Sequence, residues 1–297
     1  MKLEDIRRVL VVGAGQMGAQ IAMQTALHGY NVTLNDLSTE ILTRAMGLNR
    51  GHLERRVAKG QMTREAMEAA IARVALEPDL DTAARTADFV IEAIVERLDP
   101  KKECFTRLDR ACPPHAILVT NSSTLMISQI APVTNRPAQC ANMHWFYPPL
   151  VMRLVEVVKG QETSEETAEV VAGLTRKVGR EPVILRKELP GFLVNRILRA
   201  LANEAYYLLE EGVATFADID RAVELGLNHP MGPFRLGDLS GLDIGYNARL
   251  ETYELTKDPR DRPPAALERR VRRGDLGRKT GRGYYDYSAD PPTPTPD

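Results

Sequence analysis

The sequence contains few cysteines and no long apolar run. The three cysteines, Cys104, Cys112 and Cys140, are an odd number, and their spacing matches neither a metal knuckle nor a CxxC redox pair. No run reaches the roughly 18 consecutive apolar residues that span a bilayer. Residues 1–12 lack the charged, apolar and small-residue order of a signal peptide. These absences predict a protein of the reducing cytoplasm without a membrane segment.

Charge of neither sign is in excess. Lys and Arg together number 39 and Asp and Glu 40, so the formal net charge is −1. Proteins that bind nucleic acids or membrane surfaces usually carry an excess of basic residues, because their partners present phosphates. Neither kind of partner is therefore expected. A small anion is not excluded, since a local basic cluster is enough to bind it. No metal is expected either, because no set of histidines, cysteines and carboxylates has ligand spacing.

The length of 297 residues predicts two domains, because a single core rarely grows beyond about 250–300 residues. Up to residue 187, short apolar runs alternate with longer helical patterns, which is typical of an α/β fold with a mostly parallel sheet. Residues 43–75 are too long for a plain crossover and predict a helical hairpin that projects from the sheet, with a turn near Gly60. The predicted strands are 9–12, 32–34, 89–91, 117–119, 139–143 and 154–158.

Residues 188–297 have the pattern of a smaller, all-helical domain. Strand signals stop after residue 187, and apolar residues at three-and-four spacing begin. The proline-rich residues 288–297 predict a disordered tail. Helices are predicted at 192–211, 216–225, 232–239, 242–255 and 264–273.

A glycine-rich turn follows the first predicted strand and opens the first predicted helix. Its GxGxxG pattern places glycines at Gly13, Gly15 and Gly18. In such a turn the first glycine allows the tight bend, the second lets a pyrophosphate approach the backbone, and the third lets helix and strand pack closely. Gln16 and Met17, at the helix start, are assigned to the same phosphate site. The turn predicts a Rossmann-type dinucleotide domain, and the alternative is a turn that only links strand to helix.

Asp36 follows the second predicted strand at about the distance, 20 residues, at which dinucleotide-binding domains place an acid. A carboxylate there accepts hydrogen bonds from the adenosine ribose and repels a 2′-phosphate. No arginine follows directly, because Leu37 and Ser38 come next. The predicted cofactor is therefore NAD rather than NADP.

His144 is the histidine best placed for acid–base chemistry. A nicotinamide dehydrogenase that oxidises an alcohol needs a base for the hydroxyl proton, and histidine is the usual one. His144 ends a predicted strand, and open parallel sheets bind ligands at the carboxyl ends of their strands. The other four histidines have patterns of solvated helices, loops or helix-start turns: His28, His52, His115 and His229.

Glu156 lies inside the otherwise apolar predicted strand 154–158. A buried acid needs a partner, and a protonated His144 is a plausible one. On spacing alone the pair could be catalytic or only a structural ion pair, because both kinds occur.

Seven motifs, in order along residues 8–287, resemble the L-3-hydroxyacyl-CoA dehydrogenase family, including its 3-hydroxybutyryl-CoA dehydrogenases. They are residues 13–18, 121–125, 143–146, 154–157, 190–196, 229–233 and 277–287. The resemblance implies an NAD-binding Rossmann domain followed by a helical domain. It also implies reversible oxidation of an L-3-hydroxyacyl-CoA to the 3-oxoacyl-CoA in fatty acid metabolism.

The resemblance assigns roles to the site residues. His144 matches the catalytic base and Glu156 the acid that orients it. Ser123 matches a serine that contacts the substrate oxygen near the nicotinamide, and Asn195 matches an asparagine that completes the site from the second domain. Glu96, Lys101 and Lys279 match contacts with the cofactor.

The same resemblance gives the basic hairpin a role. Its cations could meet the phosphates of coenzyme A, although a charged helix is more often a solvated face. The cations are Arg50, Arg55, Arg56 and Lys59, of which Arg55 and Lys59 are assigned to the substrate.

Tyr147 departs from the family pattern, which has asparagine at this position. Tyrosine is bulkier and carries a hydroxyl in place of an amide. One hypothesis is a reshaped acyl pocket for a branched, cyclic or carboxylated acyl group. The other is a neutral variation.

Two rival functions stay open at this stage. One is a dehydrogenase of a hydroxy acid without coenzyme A, such as carnitine or a sugar acid, against which the basic hairpin argues mildly. The other is an NAD-binding structural or regulatory protein, against which the complete set of His144, Glu156, Ser123 and Asn195 argues. The small helical domain needs a partner for its amphipathic helices, and the family's homodimer supplies one.

Overall fold

A computed structural model describes residues 1–296, apart from the side chains of Leu255 and Thr256. The chain forms two compact units, Met1–Leu193 and Val194–Asp297. The sequence places the boundary a few residues earlier, at 187, because the strand signals end there. None of the described helices is both long enough and apolar enough to cross a membrane.

The first unit is built on an eight-stranded sheet with the order β3-β2-β1-β4-β5-β6-β7-β8. Neighbouring strands are parallel except β6 and β7, which confirms the predicted mostly parallel sheet. The strands are β1 (Arg8–Val12), β2 (Asn31–Asn35), β3 (Val74–Leu76), β4 (Phe89–Glu92), β5 (Ile117–Thr120), β6 (Cys140–Trp145), β7 (Leu154–Val158) and β8 (Glu181–Leu185).

Two strands, β3 and β8, are absent from the prediction. Both lie at sheet edges and are partly exposed, and residues 74–75 fall inside the segment predicted as a helical hairpin. β3 has only three residues, and β8 begins with Glu181 and Pro182, which are unfavourable in central strands.

Helices cover both faces of this sheet, so its strands are apolar on both sides. In β1, Val9 and Val11 pack on one face, while Leu10 and Val12 pack on the other. The helices are α1 (Gln16–Leu27), α2 (Thr39–Ala58), α3 (Arg64–Ala72), α4 (Leu80–Ala84), α5 (Leu98–Ala111), α6 (Ile127–Ile130) and α7 (Glu165–Lys177).

Helices α2 and α3 form the predicted hairpin. Ser38 begins α2 by accepting a hydrogen bond from the N–H of Ile41, and the turn contains Gly60 at a φ of 66°. Buried Leu53 and Met67 pack with Met23 of α1, which holds the base of the hairpin against the unit's core.

The second unit is mainly helical, as predicted. Its core is aromatic, with Phe216, Phe234 and Tyr284 in mutual contact. Its elements are α8 (Val194–Glu210), α9 (Phe216–Leu227), α10 (Pro233–Ser240), α11 (Leu242–Thr256), α12 (Ala265–Arg273), β9 (Tyr285–Asp286) and β10 (Thr293–Pro294).

Buried Asp238 explains the glycines of the motif at 277–287. Its carboxylate accepts hydrogen bonds from the N–H groups of Tyr284 (3.0 Å) and Tyr285 (2.9 Å). A Cβ at Gly277 or Gly283 would lie within 2.2 Å of Asp238 atoms, so only glycine fits there. This motif therefore wraps around a structural acid of the second unit.

The predicted disorder of residues 288–297 is wrong for residues 288–296. Strand β10 pairs with β9, and the buried Thr295 hydroxyl bonds the Gly283 carbonyl oxygen (2.9 Å) and the Arg270 guanidinium (2.6 Å). Proline excludes helix but is compatible with an edge pair of strands. Asp297, the last residue of that prediction, lies outside the described residues.

Candidate active site

The glycine turn joins β1 to α1 and requires glycine at two positions. Gly13 has a φ of 101°, and a Cβ there would lie 2.5 Å from the carbonyl oxygen of Ala93. A Cβ at Gly18 would lie 1.9 Å from the Gly13 carbonyl oxygen. Gly15 faces open space at the start of α1, where Gln16 and Met17 follow. Open backbone at a helix N-terminus is suited to a pyrophosphate.

Asp36 lies directly after β2 and beside this turn. Its carboxylate accepts hydrogen bonds from the N–H groups of Ala14 (2.6 Å) and Leu37 (2.7 Å). A cavity of about 380 Å³ opens beside it, lined also by Gly13, Ile94 and others. Since ligand pockets typically measure about 300–1,000 Å³, this one can accept an adenosine.

Glu96 organises the loop that follows β5. Its Oε1 accepts hydrogen bonds from the Ser122 hydroxyl, from the Ser123 N–H (3.1 Å) and from the N–H and hydroxyl of Thr124. Burial alone would raise the pKa of Glu96, but these bonds and the nearby Lys101 ammonium outweigh it and lower that pKa. The ionised Glu96 thus fixes the backbone of Ser123.

Lys101 lies in α5 and is only 1% exposed. Its ammonium bonds Glu92 Oε1 at 2.7 Å and lies 3.4 Å from Glu96 Oε2. Glu92, at the end of β4, is itself fully buried. The structure therefore places the predicted cofactor contact Lys101 in an internal ion pair.

His144 and Glu156 face each other across the antiparallel pair β6–β7. Their positions are register partners, and His144 Nδ1 lies 2.8 Å from Glu156 Oε2. His144 is 5% exposed and Glu156 0%. An ionised carboxylate can only accept a hydrogen bond, so Nδ1 carries a proton, and in the neutral imidazole Nε2 then holds the lone pair. This is the arrangement of a base oriented by an acid.

Two phenyl rings and a backbone N–H complete the surroundings of this pair. The rings of Phe146 and Phe192 lie 4.6 and 5.6 Å from the imidazole. Phe192 has a φ of 46°, and the N–H of the next residue, Leu193, donates to Glu156 Oε1 at 3.1 Å. Both carboxylate oxygens of Glu156 are therefore engaged.

Ser123 lies at the same edge of the sheet as His144. Strands β5 and β6 are parallel with Thr120 opposite Asn142, so the residues after Thr120 lie beside residues 143–145. The Asn121 side chain secures this neighbourhood by accepting a hydrogen bond from the Trp145 N–H at 2.9 Å.

Tyr147 is 58% exposed and lies near the start of the loop between β6 and β7. Arginines hold this loop through its carbonyl oxygens. Arg180 Nη2 donates to Pro149 (2.6 Å) and Arg56 donates to Leu150. The loop therefore presents an anchored backbone with an open Tyr147 side chain.

The structure divides the four hairpin cations into two groups. Arg50 is paired with Glu68 at 2.6 Å, and Arg56 bonds the Leu150 carbonyl oxygen. Arg55 and Lys59 are exposed and one helical turn apart. The two residues assigned to the substrate are thus the accessible ones.

Asn195 and Lys279 lie in the second unit. Asn195 is the second residue of α8. Lys279 Nζ bonds Asp243 Oδ2 at 2.6 Å, and that bond lowers the pKa of Asp243. Within residues 1–296, no group of three or more histidines, cysteines and acids could hold a metal ion.

The sequence matches two family models, one after the other along the chain. Residues 8–189 match the NAD-binding domain of 3-hydroxyacyl-CoA dehydrogenase, and residues 191–287 match its C-terminal domain. The chain belongs to the 3-hydroxyacyl-CoA dehydrogenase family. It is an NAD-dependent oxidoreductase of that family, as the resemblance of its motifs implies. The alternative function, a dehydrogenase of a hydroxy acid without coenzyme A, is not favoured.

Named relatives support the assignment to this family. A probable 3-hydroxybutyryl-CoA dehydrogenase of Bacillus subtilis is 42% identical, over 95% of this chain and 98% of the relative. A 3-hydroxyadipyl-CoA dehydrogenase of Escherichia coli is 40% identical, over 96% of this chain and 60% of that longer protein. The crystal structure of an Escherichia coli 3-hydroxybutyryl-CoA dehydrogenase has a TM-score of 0.91 at 40% identity, again over 96% of this chain and 60% of that one.

Four residues around the site receive no role in the sequence analysis, although Asn121 and Ser122 lie in the motif 121–125. They support the loop that carries Ser123 or the strand that carries His144, and they are Glu92, Thr120, Asn121 and Ser122. For Glu92 a signal exists, because an acid directly after the apolar run 89–91 resembles Glu156 in its own apolar strand.

Proposed function

We propose that the protein oxidises an L-3-hydroxyacyl-CoA to the 3-oxoacyl-CoA, reversibly, with His144 as the general base. The observation that carries this proposal is the bond between His144 Nδ1 and Glu156 Oε2, which leaves the Nε2 lone pair to accept the 3-hydroxyl proton. When bound, NAD accepts the hydride from the substrate carbon. The L configuration rests on the family resemblance.

Glu156 stabilises the charge that His144 acquires. Proton transfer converts a buried neutral imidazole into an imidazolium, and a buried cation is costly unless it is paired and hydrogen-bonded. The carboxylate at 2.8 Å provides the pair, and Leu193 holds the second carboxylate oxygen in place. In the reverse reduction the imidazolium returns its proton to the oxygen.

Other residues hold substrate and cofactor in this proposal. Ser123 and Asn195 hold the substrate oxygen. The glycine turn would hold the pyrophosphate, with Gln16 and Met17 at the helix start. Asp36 would bind the adenosine ribose, which the adjoining cavity supports. Glu96, Ser123, Lys101 and Lys279 complete the proposed cofactor contacts, Lys101 by acting through Glu96.

Arg55 and Lys59 are the proposed partners of the coenzyme A phosphates. Their exposure supports this role, since Arg50 is paired with an acid and Arg56 holds a backbone carbonyl oxygen. Arg55 donates one hydrogen bond to His52 Nδ1 (2.7 Å), and its guanidinium has further N–H donors for phosphate oxygens.

A homodimer in the cytoplasm is also proposed. Large apolar side chains are exposed on the second unit, which supports a partner subunit there: Ile197, Tyr207, Leu225 and Ile244. The three cysteines are buried free thiols, and burial raises the pKa of Cys112 and Cys140 to about 12. Inert free thiols are compatible with a reducing compartment.

The test of this function compares three substrates with NAD, followed by NADH absorbance. L-3-hydroxybutyryl-CoA is expected to be turned over, while the D isomer and free L-3-hydroxybutyrate react at least about 100-fold more slowly. The free acid lacks the binding energy of coenzyme A, and the D isomer cannot present its hydroxyl to the base and its C3 hydrogen to the nicotinamide at once. Equal turnover of the free acid would favour the dehydrogenase without coenzyme A.

Replacing Asp36 with alanine is expected to raise KM for NAD about 10- to 100-fold, because a hydrogen bond to a charged group contributes about 1.5–3 kcal/mol. KM for NADP should rise less or fall, since the repelling charge is gone. Steady-state kinetics with both cofactors measure this. Asp36→Asn is the matched variant, because it can still accept from the Ala14 N–H. An unchanged preference for NAD would count against the assignment.

Tyr147 is proposed to shape the acyl pocket toward a branched, cyclic or carboxylated group. Its exposure in the loop that follows His144 supports this. Tyr147→Asn is expected to shift kcat/KM toward straight-chain 3-hydroxybutyryl-CoA by about tenfold, within the range that pocket contacts usually give. A panel of thioesters measures this. An unchanged profile would identify Tyr147 as a neutral variation.

A further inference from the structure

A buried ion pair lies beneath the loop that carries Ser123. Glu92 and Lys101 are 0% and 1% exposed, and each loses its hydration on folding. Removal of two charges from water is costly, so such a pair persists only where further hydrogen bonds satisfy it. The Glu92 carboxylate accepts from Lys101 Nζ (2.7 Å), from the Ile94 N–H (2.7 Å) and from the Thr120 hydroxyl (2.6 Å).

The position of Lys101 in α5 makes the pair more unusual. Helix α5 begins at Leu98, so Lys101 lies in its first turn. A helix N-terminus carries partial positive charge, which disfavours a cation there. The carboxylates of Glu92 and Glu96 offset this cost, and the ammonium is held between them.

Two chains of contacts lead from Glu92 to the loop. The first passes through Thr120, whose hydroxyl donates to Glu92 and accepts from the Ser122 N–H at 3.1 Å. The second passes through Lys101 to Glu96, which accepts from the Ser123 N–H at 3.1 Å. Both end on the backbone that flanks the Ser123 side chain.

We propose that Glu92 is a positioning residue for Ser123. Its carboxylate fixes Thr120 and Lys101, and through them the loop from which the Ser123 hydroxyl meets the substrate oxygen. The inference rests on the proposed function only for the role of Ser123. The ordering of the loop by Glu92 is independent of any substrate.

The test replaces both charges with neutral side chains of similar volume in E92Q/K101M. Because a buried pair exchanged for neutral groups is often nearly neutral in stability, Tm should stay close to that of the wild type. Amide hydrogens of Ser123 and Thr124 should exchange at least about tenfold faster, since Glu96 loses its cation. kcat should fall about 10- to 100-fold, the usual cost of a misplaced reacting group, with a smaller change in KM for NAD.

The matched control is D109N/R136M. Asp109 is buried and forms an ion pair with the largely buried Arg136 (2.8 Å), at the other end of α5. This variant should leave both kcat and the exchange of residues 122–125 at the wild-type level. If E92Q/K101M behaves like this control, the Glu92 pair is only structural and the proposal is overturned.

A second pair of variants covers the case in which E92Q/K101M does not fold. Thr120→Val removes the hydroxyl between Glu92 and Ser122 without a change in size, and it should speed exchange at the Ser122 N–H and lower kcat. Thr120→Ser keeps the hydroxyl and should restore both. Equal behaviour of the two variants would overturn the proposal. Should the wild type make no NADH from any 3-hydroxyacyl thioester, the proposed function fails, while the exchange data still decide the role of Glu92.

Discussion

Replacement of His144 by glutamine should lower kcat for L-3-hydroxybutyryl-CoA oxidation by about 10²- to 10⁴-fold, the range that a general base contributes. Glutamine has a similar reach and its amide can donate to Glu156 as Nδ1 does. It has no nitrogen lone pair that accepts a proton at neutral pH, so only the acid–base step is removed. NADH absorbance measures kcat.

Binding of the cofactor provides the control for His144→Gln. The glycine turn and Asp36 are unchanged, so NADH should bind with wild-type affinity in a fluorescence titration. A loss of both binding and activity would point to misfolding. A variant that binds NADH and keeps more than a tenth of wild-type kcat would contradict the role of His144 as base.

The second large effect is expected for Glu156→Gln. The neutral amide cannot balance the imidazolium, and its NH₂ group can donate to Nδ1 and so favour the wrong tautomer, with the lone pair turned away from the substrate. The corresponding change in serine proteases costs about 10⁴-fold, and a loss of about 10²- to 10⁴-fold is expected here. KM for NAD should change little. Steady-state kinetics separate the two parameters.

Glu181→Gln is the matched control for this variant. Glu181 lies on β8, next to β7, and its pair with Arg153 is mostly exposed. Exposed ion pairs contribute about 0–1 kcal/mol, so activity should be unchanged. If Glu156→Gln kept activity like this control, the buried pair would be structural.

Much of the first unit could be predicted from the sequence. The central strands are continuous apolar runs because helices cover both faces of the sheet, and such runs are visible in a single sequence. The GxGxxG turn can also be recognised in a single sequence, because packing fixes the residue type. A Cβ at Gly13 or Gly18 would lie closer than 2.6 Å to a backbone carbonyl oxygen, so only glycine fits at these positions. The edge strands are harder to recognise, because β3 has only three residues and β8 begins with Glu181 and Pro182.

The sequence predicts which residues form the site, but not which of them contact each other. His144 and Glu156 stand out as a histidine at a strand end and an acid in an apolar strand, while their pairing depends on the antiparallel register of β6 and β7. Lys101 looks like a surface cation of a polar helix. Its burial follows from Glu92 and Glu96, two acids close to it in sequence whose carboxylates converge on its ammonium in the folded connection between β4 and α5.

The resemblance and the structure lead to one central claim, that His144 oriented by Glu156 is the base of an NAD-dependent 3-hydroxyacyl-CoA dehydrogenase. The most direct test is the rate of NADH formation from L-3-hydroxybutyryl-CoA and NAD by the wild type and by His144→Gln at equal occupancy of NAD. We expect steady turnover by the wild type and a rate about 10²- to 10⁴-fold lower for the variant. Equal rates for the two proteins, or no NADH from the wild type with any 3-hydroxyacyl thioester, would contradict the claim.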